Sequence, residues 1–363
     1  MIPSPRLSDL SDTVAVLGAG FSRVAEVPTA AELSGFFLAF DRTPVEQFIT
    51  ASLKRFWSEV FGYAGGEVVP TFEDHFTLLD LAANAGHNLG HYYTPSRLRA
   101  LRRISIHRVF QIIDEKFKFN DEIIRFLGGL QAGKGAIVSL NWDIVVEKHL
   151  RERMHELFTY SFPGHYLDGS NPGDHAFPVI KLHGSANWHY CDACHTTQFG
   201  DSAHGKNVLH CNTLLEERDV AILEGEQVAA EAIRKEHVPV PCGRCQNPKT
   251  TARVATFSYA KAFDFFPFHA SWDAALRRLA AAKRWIFIGY SLPEADFAVK
   301  HLLKTAQLAS RTGKEIIAVT RENDIPAVKD RAGTAIGRYE QIFGGSIAIG
   351  LGGFAKWVRD CVP

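Results

Sequence analysis

Three short apolar runs in this chain stop on the same kind of residue, and they limit the fold more than any other feature. Val14-Ala15-Val16-Leu17 runs into Gly18-Ala19-Gly20-Phe21-Ser22. Ile137-Val138-Ser139-Leu140 runs into Asn141-Trp142-Asp143. Val179-Ile180-Lys181-Leu182 runs into His183-Gly184-Ser185. Each reads as a buried strand closed by small or polar residues. A fourth run, Trp285-Ile286-Phe287-Ile288, ends in Gly289-Tyr290-Ser291, and Lys314 to Thr320 gives a fifth. Residues 345 to 349 give a weaker sixth. Helical patterns lie between these runs, for example at 262 to 282 and 294 to 309. Strands alternating with helices predict an α/β, Rossmann-like, doubly wound parallel sheet. In such a sheet, ligands bind just past the carboxyl ends of the strands, so the three endings are expected to surround one nucleotide.

The glycine turn does not complete the six-residue dinucleotide fingerprint, because Arg23 stands where the third glycine belongs. A plain tight turn is the alternative reading of Gly18 and Gly20. Helix capping is the alternative for Asn141 and Asp143, and a structural histidine is the alternative for His183.

Residues from about 30 to 130 predict a helical insertion between the first two strands. Thr43-Pro44 and Thr71-Phe72-Glu73-Asp74 are helix starts. Residues 96 to 117 form an amphipathic helix carrying Arg97, Arg99, Arg102, Arg103 and Arg108. No aromatic residues interleave with these arginines as a base-stacking surface requires. The expectation is therefore a solvated helix face and no direct nucleic-acid contact. Lys+Arg and Asp+Glu both number 40, so overall charge adds no pull toward nucleic acid or membrane. The start of the chain lacks the apolar run of a signal peptide, no run is long enough to span a bilayer, and the expected location is the cytoplasm.

Four of the six cysteines fall in two Cys-x-x-Cys pairs, Cys191/Cys194 and Cys242/Cys245. Two thiolate knuckles suit tetrahedral structural zinc, and four thiolates leave no position for a catalytic water. The gap between the knuckles exceeds that of a compact zinc ribbon, and residues 213 to 236, charged and partly helical, are expected to fill it. Cys211, His195 and His210 are possible substitute ligands, and Cys361 a terminal bystander. The expected division is a nucleotide-binding domain of residues 1–188 and 251–363, interrupted by a zinc-binding module at 189–250.

Taken in order, Gly18-Ala19-Gly20-Phe21-Ser22, Asn141-Trp142-Asp143, His183-Gly184, the two Cys-x-x-Cys pairs and Gly289-Tyr290-Ser291 resemble the sirtuin-like NAD-consuming proteins. The wording Lys181-Leu182-His183-Gly184-Ser185, the run from Ile288 to Asp296, and Val27-Pro28-Thr29 are similar to the divergent bacterial branch. No Pro-Asp-Phe-Arg segment follows the glycine turn, and Leu140 stands where the protein deacetylases have Gln. The resemblance thus implies an NAD+ hydrolase giving nicotinamide and ADP-ribose, as an effector of anti-phage defence. It also implies an oligomer or a partner such as a DNA-translocating, helicase-type ATPase. The paired cysteines are usual in deacetylases, so NAD-dependent protein deacylation is the alternative. A non-catalytic subunit binding NAD or ADP-ribose is a third.

The resemblance further implies roles. Gly18, Ala19, Gly20 and Ser22 would cradle the NAD+ diphosphate, with Phe21, Gly184 and Gly289 also on the nucleotide and Ser291 on its adenosine side. Asn141 would position the water or the ribose hydroxyls. Asp143 would hold the nicotinamide-side geometry and add negative charge near the cation. His183 would serve as general base. Asp296 is expected to cap or pair locally.

Overall fold

The computed structural model describes residues 2–66, 68–167, 169–173, 175–200, 215–237, 239–254, 266–294, 296–310, 313–323 and 325–363. Its strands are β1 (Ile2–Pro3), β2 (Thr13–Leu17), β3 (Ala136–Ser139), β4 (Phe158–Thr159), β5 (His165–Tyr166), β6 (Phe177–Lys181), β7 (Gly184–Tyr190), β8 (Thr197–Phe199), β9 (Thr251–Val254), β10 (Arg284–Ile288), β11 (Glu315–Val319) and β12 (Ala348–Gly350). Eight of them form one parallel sheet in the order β1-β12-β11-β10-β2-β3-β6-β4.

The chain lays down β2, β3 and β6 outward in one direction. It then returns to place β10 on the other side of β2 and continues outward through β11 and β12. This is the doubly wound order 3-2-1-4-5-6, and it puts the crevice where the winding reverses, between β2 and β10. Alternation along the strands explains the two-sided burial. Ala15, Leu17, Ile137, Val179, Ile286, Ile288 and Ile317 face one core. Val14, Val16, Val138, Ile180, Trp285, Phe287 and Ile316 face the other. Side chains of period two, apolar on both faces, require cover on both faces.

The helices supply that cover: α1 (Ala19–Ser22), α2 (Ala30–Phe36), α3 (Pro44–Phe61), α4 (Phe72–Ala85), α5 (Pro95–Lys116), α6 (Asp121–Ala132), α7 (Val145–Lys148), α8 (Glu217–Ile222), α9 (Gln227–Glu236), α10 (Phe266–Ala281), α11 (Phe297–Ala309), α12 (Ala335–Phe343) and α13 (Gly353–Cys361). Helices α2 to α6 lie in sequence between β2 and β3, where the helical insertion is expected. Their starts follow the capping logic. Thr43 Oγ1 accepts the Glu46 N–H at 3.2 Å, Glu46 returns a bond to the Thr43 N–H at 3.2 Å, and Pro44 occupies the first turn. Thr71 accepts the Asp74 N–H at 3.1 Å and Asn120 the Ile123 N–H at 3.2 Å.

One expectation changes. The arginines of α5 are not a solvated face. Arg108 is fully buried and donates to the Glu46 carbonyl at 3.0 Å. Arg102 Nε donates to Asp80 at 2.8 Å, and Arg103 Nε lies 3.1 Å from both oxygens of Asp219. Arg97 pairs with Glu224 and lies over the Tyr92 ring, and Arg99 is exposed. Helices α8 and α9 lie in the interval between the cysteine pairs, where a partly helical filling is expected. They dock on the insertion, where Gly225 sits so tightly against Phe48 that an added Cβ would meet its ring at 2.5 Å. A smaller sheet is ordered β5-β8-β7-β9, and its β7 begins at Gly184. Residues 201–214, with Cys211 and His210, lie outside the described residues. No helix among the described residues is long and apolar enough to cross a membrane.

Candidate active site

The carboxyl ends of β10, β2, β3 and β6 lie side by side, and their last hydrogen bonds continue into the loops. The Gly18 N–H donates to the Ile288 carbonyl at 3.0 Å, and the Gly20 N–H to the Gly289 carbonyl at 2.9 Å. The Leu140 N–H donates to the Leu17 carbonyl and the Leu182 N–H to the Ser139 carbonyl, both at 2.9 Å. The glycines answer to one another. A Cβ on Gly18 would stand 2.6 Å from the Gly289 oxygen, and one on Gly20 2.8 Å from the Gly289 Cα. Gly289 has φ +65°, and its Cβ would fall 2.0 Å from the Phe21 nitrogen. Two turns pressed back to back exclude side chains at these positions.

Asn141 joins the glycine turn directly. Its Nδ2 donates to the Gly18 carbonyl and to Ser22 Oγ, each at 3.0 Å. A carbonyl only accepts, so the orientation of the carboxamide is settled by its partner. The Ser22 hydroxyl donates a hydrogen bond to Asp143 Oδ2 at 2.7 Å, and Asp143 Oδ1 accepts the Val145 N–H at 3.1 Å. Asn141, Ser22 and Asp143 thus form one hydrogen-bonded chain across two loops. Ser22 is 1% exposed, so its hydroxyl braces Asn141 and Asp143 from inside the protein. Asp143 also retains the capping contact open to it from the sequence. Phe21 is a core residue, edge-on to Phe354 with ring centroids 5.1 Å apart.

His183 sits beside them, 8% exposed, with Nδ1 3.1 Å from the Leu140 carbonyl. Since that partner can only accept, Nδ1 carries a proton. Gly184 has φ +83°, which turns the chain out of β6 and into β7. Trp272 of α10 lies 6.5 Å from the His183 ring, with its indole N–H on the Leu182 carbonyl at 2.9 Å. On the β10 side, Ser291 is exposed and its carbonyl takes Arg338 Nε at 2.8 Å. The Tyr290 hydroxyl donates to Asp296 at 2.8 Å. Burial, then Asp296, holds that phenol well above its ordinary range. Asp296 therefore pairs locally, as expected. The structure brings Gly18, Gly20, Ser22, Asn141 and Asp143 into one bonded cluster with Gly289, and His183 joins through the residue preceding Asn141. Sequence reasoning missed Lys181 and Glu147 beneath this cluster. The one available signal was a charged residue inside an otherwise apolar strand.

The four cysteines form a separate centre. Their Sγ atoms all lie within 4.8 Å of one another, with Cys191–Cys245 and Cys194–Cys242 at 3.6 Å. A disulfide would need about 2.0 Å. A tetrahedron of sulfurs around zinc at about 2.3 Å has an edge of about 3.8 Å. The two knuckles repeat one backbone pattern. The Cys191 N–H bonds to the Thr196 carbonyl at 3.0 Å and the His195 N–H to the Cys191 carbonyl at 2.8 Å. The Cys242 N–H bonds to the Asn247 carbonyl at 2.8 Å and the Gln246 N–H to the Cys242 carbonyl at 3.0 Å. His195 and Gln246 take positive φ at matching places, +58° and +60°. The donor set fits a four-thiolate structural zinc ion, and His195 is not among the clustered ligands. Cys361 stands apart, with its sulfur 3.9 Å from the Ser4 carbonyl.

No family model matches the chain, and no curated protein matches it. Solved structures do. "Structural Basis for the Mechanism and Regulation of Sir2 Enzymes" aligns at 15% identity over 96% of this chain and 90% of that chain, with a TM-score of 0.42. "Structure of Sir2Tm bound to a propionylated peptide" aligns at 14% identity over the same shares, TM-score 0.42. "Sir2-p53 peptide-NAD+" aligns at 14% identity over the same shares, TM-score 0.43.

Proposed function

We propose that this protein cleaves NAD+ between nicotinamide and ribose, releasing nicotinamide and ADP-ribose. The observation that carries the reading is that the Asn141 carboxamide and the His183 imidazole are both held on backbone carbonyls at neighbouring strand ends. They are tied to adjacent groups, Gly18 and Leu140, beside the reversal point of a doubly wound sheet. The motif order that resembles the sirtuin-like proteins supports the same substrate.

The chemistry asks little of an acid. Nicotinamide leaves as a neutral base from a cationic ring, so the leaving group needs no proton. The ribose passes through an oxocarbenium-like state, and water adds at its anomeric carbon. The enzyme must hold the ribose, steady positive charge and aim the water. Both Nδ2 protons of Asn141 are engaged, so its contribution to substrate is the carbonyl oxygen, an acceptor for water or a ribose hydroxyl. The Asp143 carboxylate places negative charge near the ribose cation that develops as nicotinamide leaves, while holding that loop. His183, protonated at Nδ1, takes the water's proton at Nε2. The balance is NAD+ plus water to nicotinamide, ADP-ribose and one proton. Gly18, Ala19 and Gly20 lie at the diphosphate and Ser291 at the adenosine side. Ser22 and Phe21 support the turn from behind.

The cysteine cluster favours a second reading, NAD-dependent deacylation of lysine, because that cluster is usual in the deacetylases the motifs resemble. A silent NAD- or ADP-ribose-binding subunit is the third. As a hydrolase the protein would act in the cytoplasm as an anti-phage effector, held in check by oligomer formation or by a helicase-type ATPase partner. The test is to incubate the protein with NAD+, with and without acyl-lysine peptide and phage DNA, and to resolve the products. Free ADP-ribose without peptide is the expected result. O-acyl-ADP-ribose formed only with peptide would establish the deacylase instead.

A further inference from the structure

Beneath the strand ends lies a second set of charges that the cleavage chemistry does not use. Lys181 precedes His183 by two residues, and its side chain is 1% exposed, as is that of Glu147 on α7. The Lys181 ammonium lies 3.4 Å from Glu147 Oε1 and donates a hydrogen bond to the Asp143 carbonyl. The Tyr160 hydroxyl lies 3.1 Å from Glu147 Oε1 and 3.0 Å from Asn187 Oδ1, sharing one proton between them. Asn187, on β7, donates onward to the Gly200 carbonyl at 3.3 Å. Among the described residues, Glu147 Oε2 has no hydrogen-bond partner. Burial pushes the Glu147 carboxyl above its ordinary range while the Lys181 ammonium pulls it back, and burial lifts the Tyr160 phenol far above its own.

A buried ion pair is a poor source of stability. Well-packed apolar residues of the same volume serve as well or better, whereas losing one partner strands the other charge. Such a pair does hold geometry. Here the geometry is specific: one ammonium links the position two after Asn141 to the position two before His183. Nothing else on β6 reaches the Asn141–Asp143 turn with a charge.

We propose that Lys181 is a positioning residue, its ion pair with Glu147 clamping the Asn141-Trp142-Asp143 turn against the segment that carries His183. The kinetic consequence rests on the NAD+ cleavage reading; the structural consequence does not. The test compares Lys181→Met with the double variant Lys181→Met/Glu147→Leu in the full chain. The single variant leaves an uncompensated buried carboxylate and melts lower. The double variant removes both charges and regains the wild-type midpoint. With the fold restored, the backbone amides of residues 141–145 exchange with deuterium about tenfold faster or more. Nicotinamide release then shows kcat down by about 100-fold, the scale of a reacting group displaced by about 1 Å. KM stays within about twofold, because the contact acts on the transition state. A double variant with wild-type exchange at those amides and wild-type kcat overturns the proposal. If wild type releases no nicotinamide, the cleavage reading has failed, and the exchange rates alone decide the clamp. Should the double variant not fold, Lys181→Arg and Lys181→Gln replace it. Arginine keeps the charge and the donor and should hold exchange near wild type, whereas glutamine should not. Equal behaviour of the two overturns the clamp.

Discussion

Substituting Gly289 by alanine tests whether the two turns at the site are pressed together as described. Its backbone sits at φ +65°, where an L-residue is disfavoured by about 1–2 kcal/mol. The new methyl would also stand 2.0 Å from the Phe21 nitrogen and 2.3 Å from the Gly20 carbonyl carbon. Both obstacles are backbone atoms, which cannot swing away as a side-chain tip can. Forced shifts of that kind cost about 1–3 kcal/mol. The sum is about 2–5 kcal/mol, less up to about 1 kcal/mol because alanine also restricts the unfolded chain. Gly62 is the control. It has nearly the same φ, +69°, but its added Cβ would meet nothing within 4 Å. Gly62→Ala therefore carries only the conformational penalty, largely offset, and should change stability by about 1 kcal/mol or less. Urea unfolding of both variants against wild type, with the slope checked for constancy, reads the difference. Gly289→Ala should also lose NAD+ cleavage, because the Gly18 carbonyl that orients Asn141 moves with it. If both variants shift the midpoint equally, the contact between the turns is not as described.

Two further outcomes follow from named groups. The cysteine cluster should bind one zinc ion per chain by elemental analysis, and Cys194→Ser should weaken retention and lower the melting temperature; a metal-free wild type of equal stability would refute the assignment. His75 is buried and neutral, accepting from the Trp57 indole at 3.0 Å, with its other nitrogen 2.8 Å from Ser105 Oγ. Burial lowers its pKa to about 3. Below pH 6.5 the unfolded chain takes up a proton that the folded imidazole refuses, so stability falls as pH drops from 6.5 toward 3, by about 1.4 kcal/mol per pH unit at most. His75→Phe should flatten that slope, and an unchanged slope would contradict the burial argument.

What could be read in the sequence was whatever is local. β2 is buried at every position, apolar from Val14 onward, and appears at the residues expected. The start of α3 at Thr43-Pro44 is likewise encoded by neighbours. What could not be read depends on partners far along the chain. Arg103 resembles a solvated arginine until Asp219, on a helix entering much later, covers it. The bonds from the Ser22 hydroxyl to Asn141 and Asp143 likewise join positions more than a hundred residues apart. β1, β4 and β5 are two residues each, too short for any periodicity. The spatial grouping of Asn141, Asp143 and His183 was recoverable because each closes a strand of one parallel sheet, and register alone carries them to the same edge.

The most direct test of the central claim is the rate of nicotinamide release from NAD+ by wild type, Asn141→Ala and His183→Ala, each confirmed folded by circular dichroism. Wild type should turn over NAD+ without any peptide, and both variants should lose at least about 100-fold, the scale of general-base removal. Undiminished release by both variants would contradict that claim.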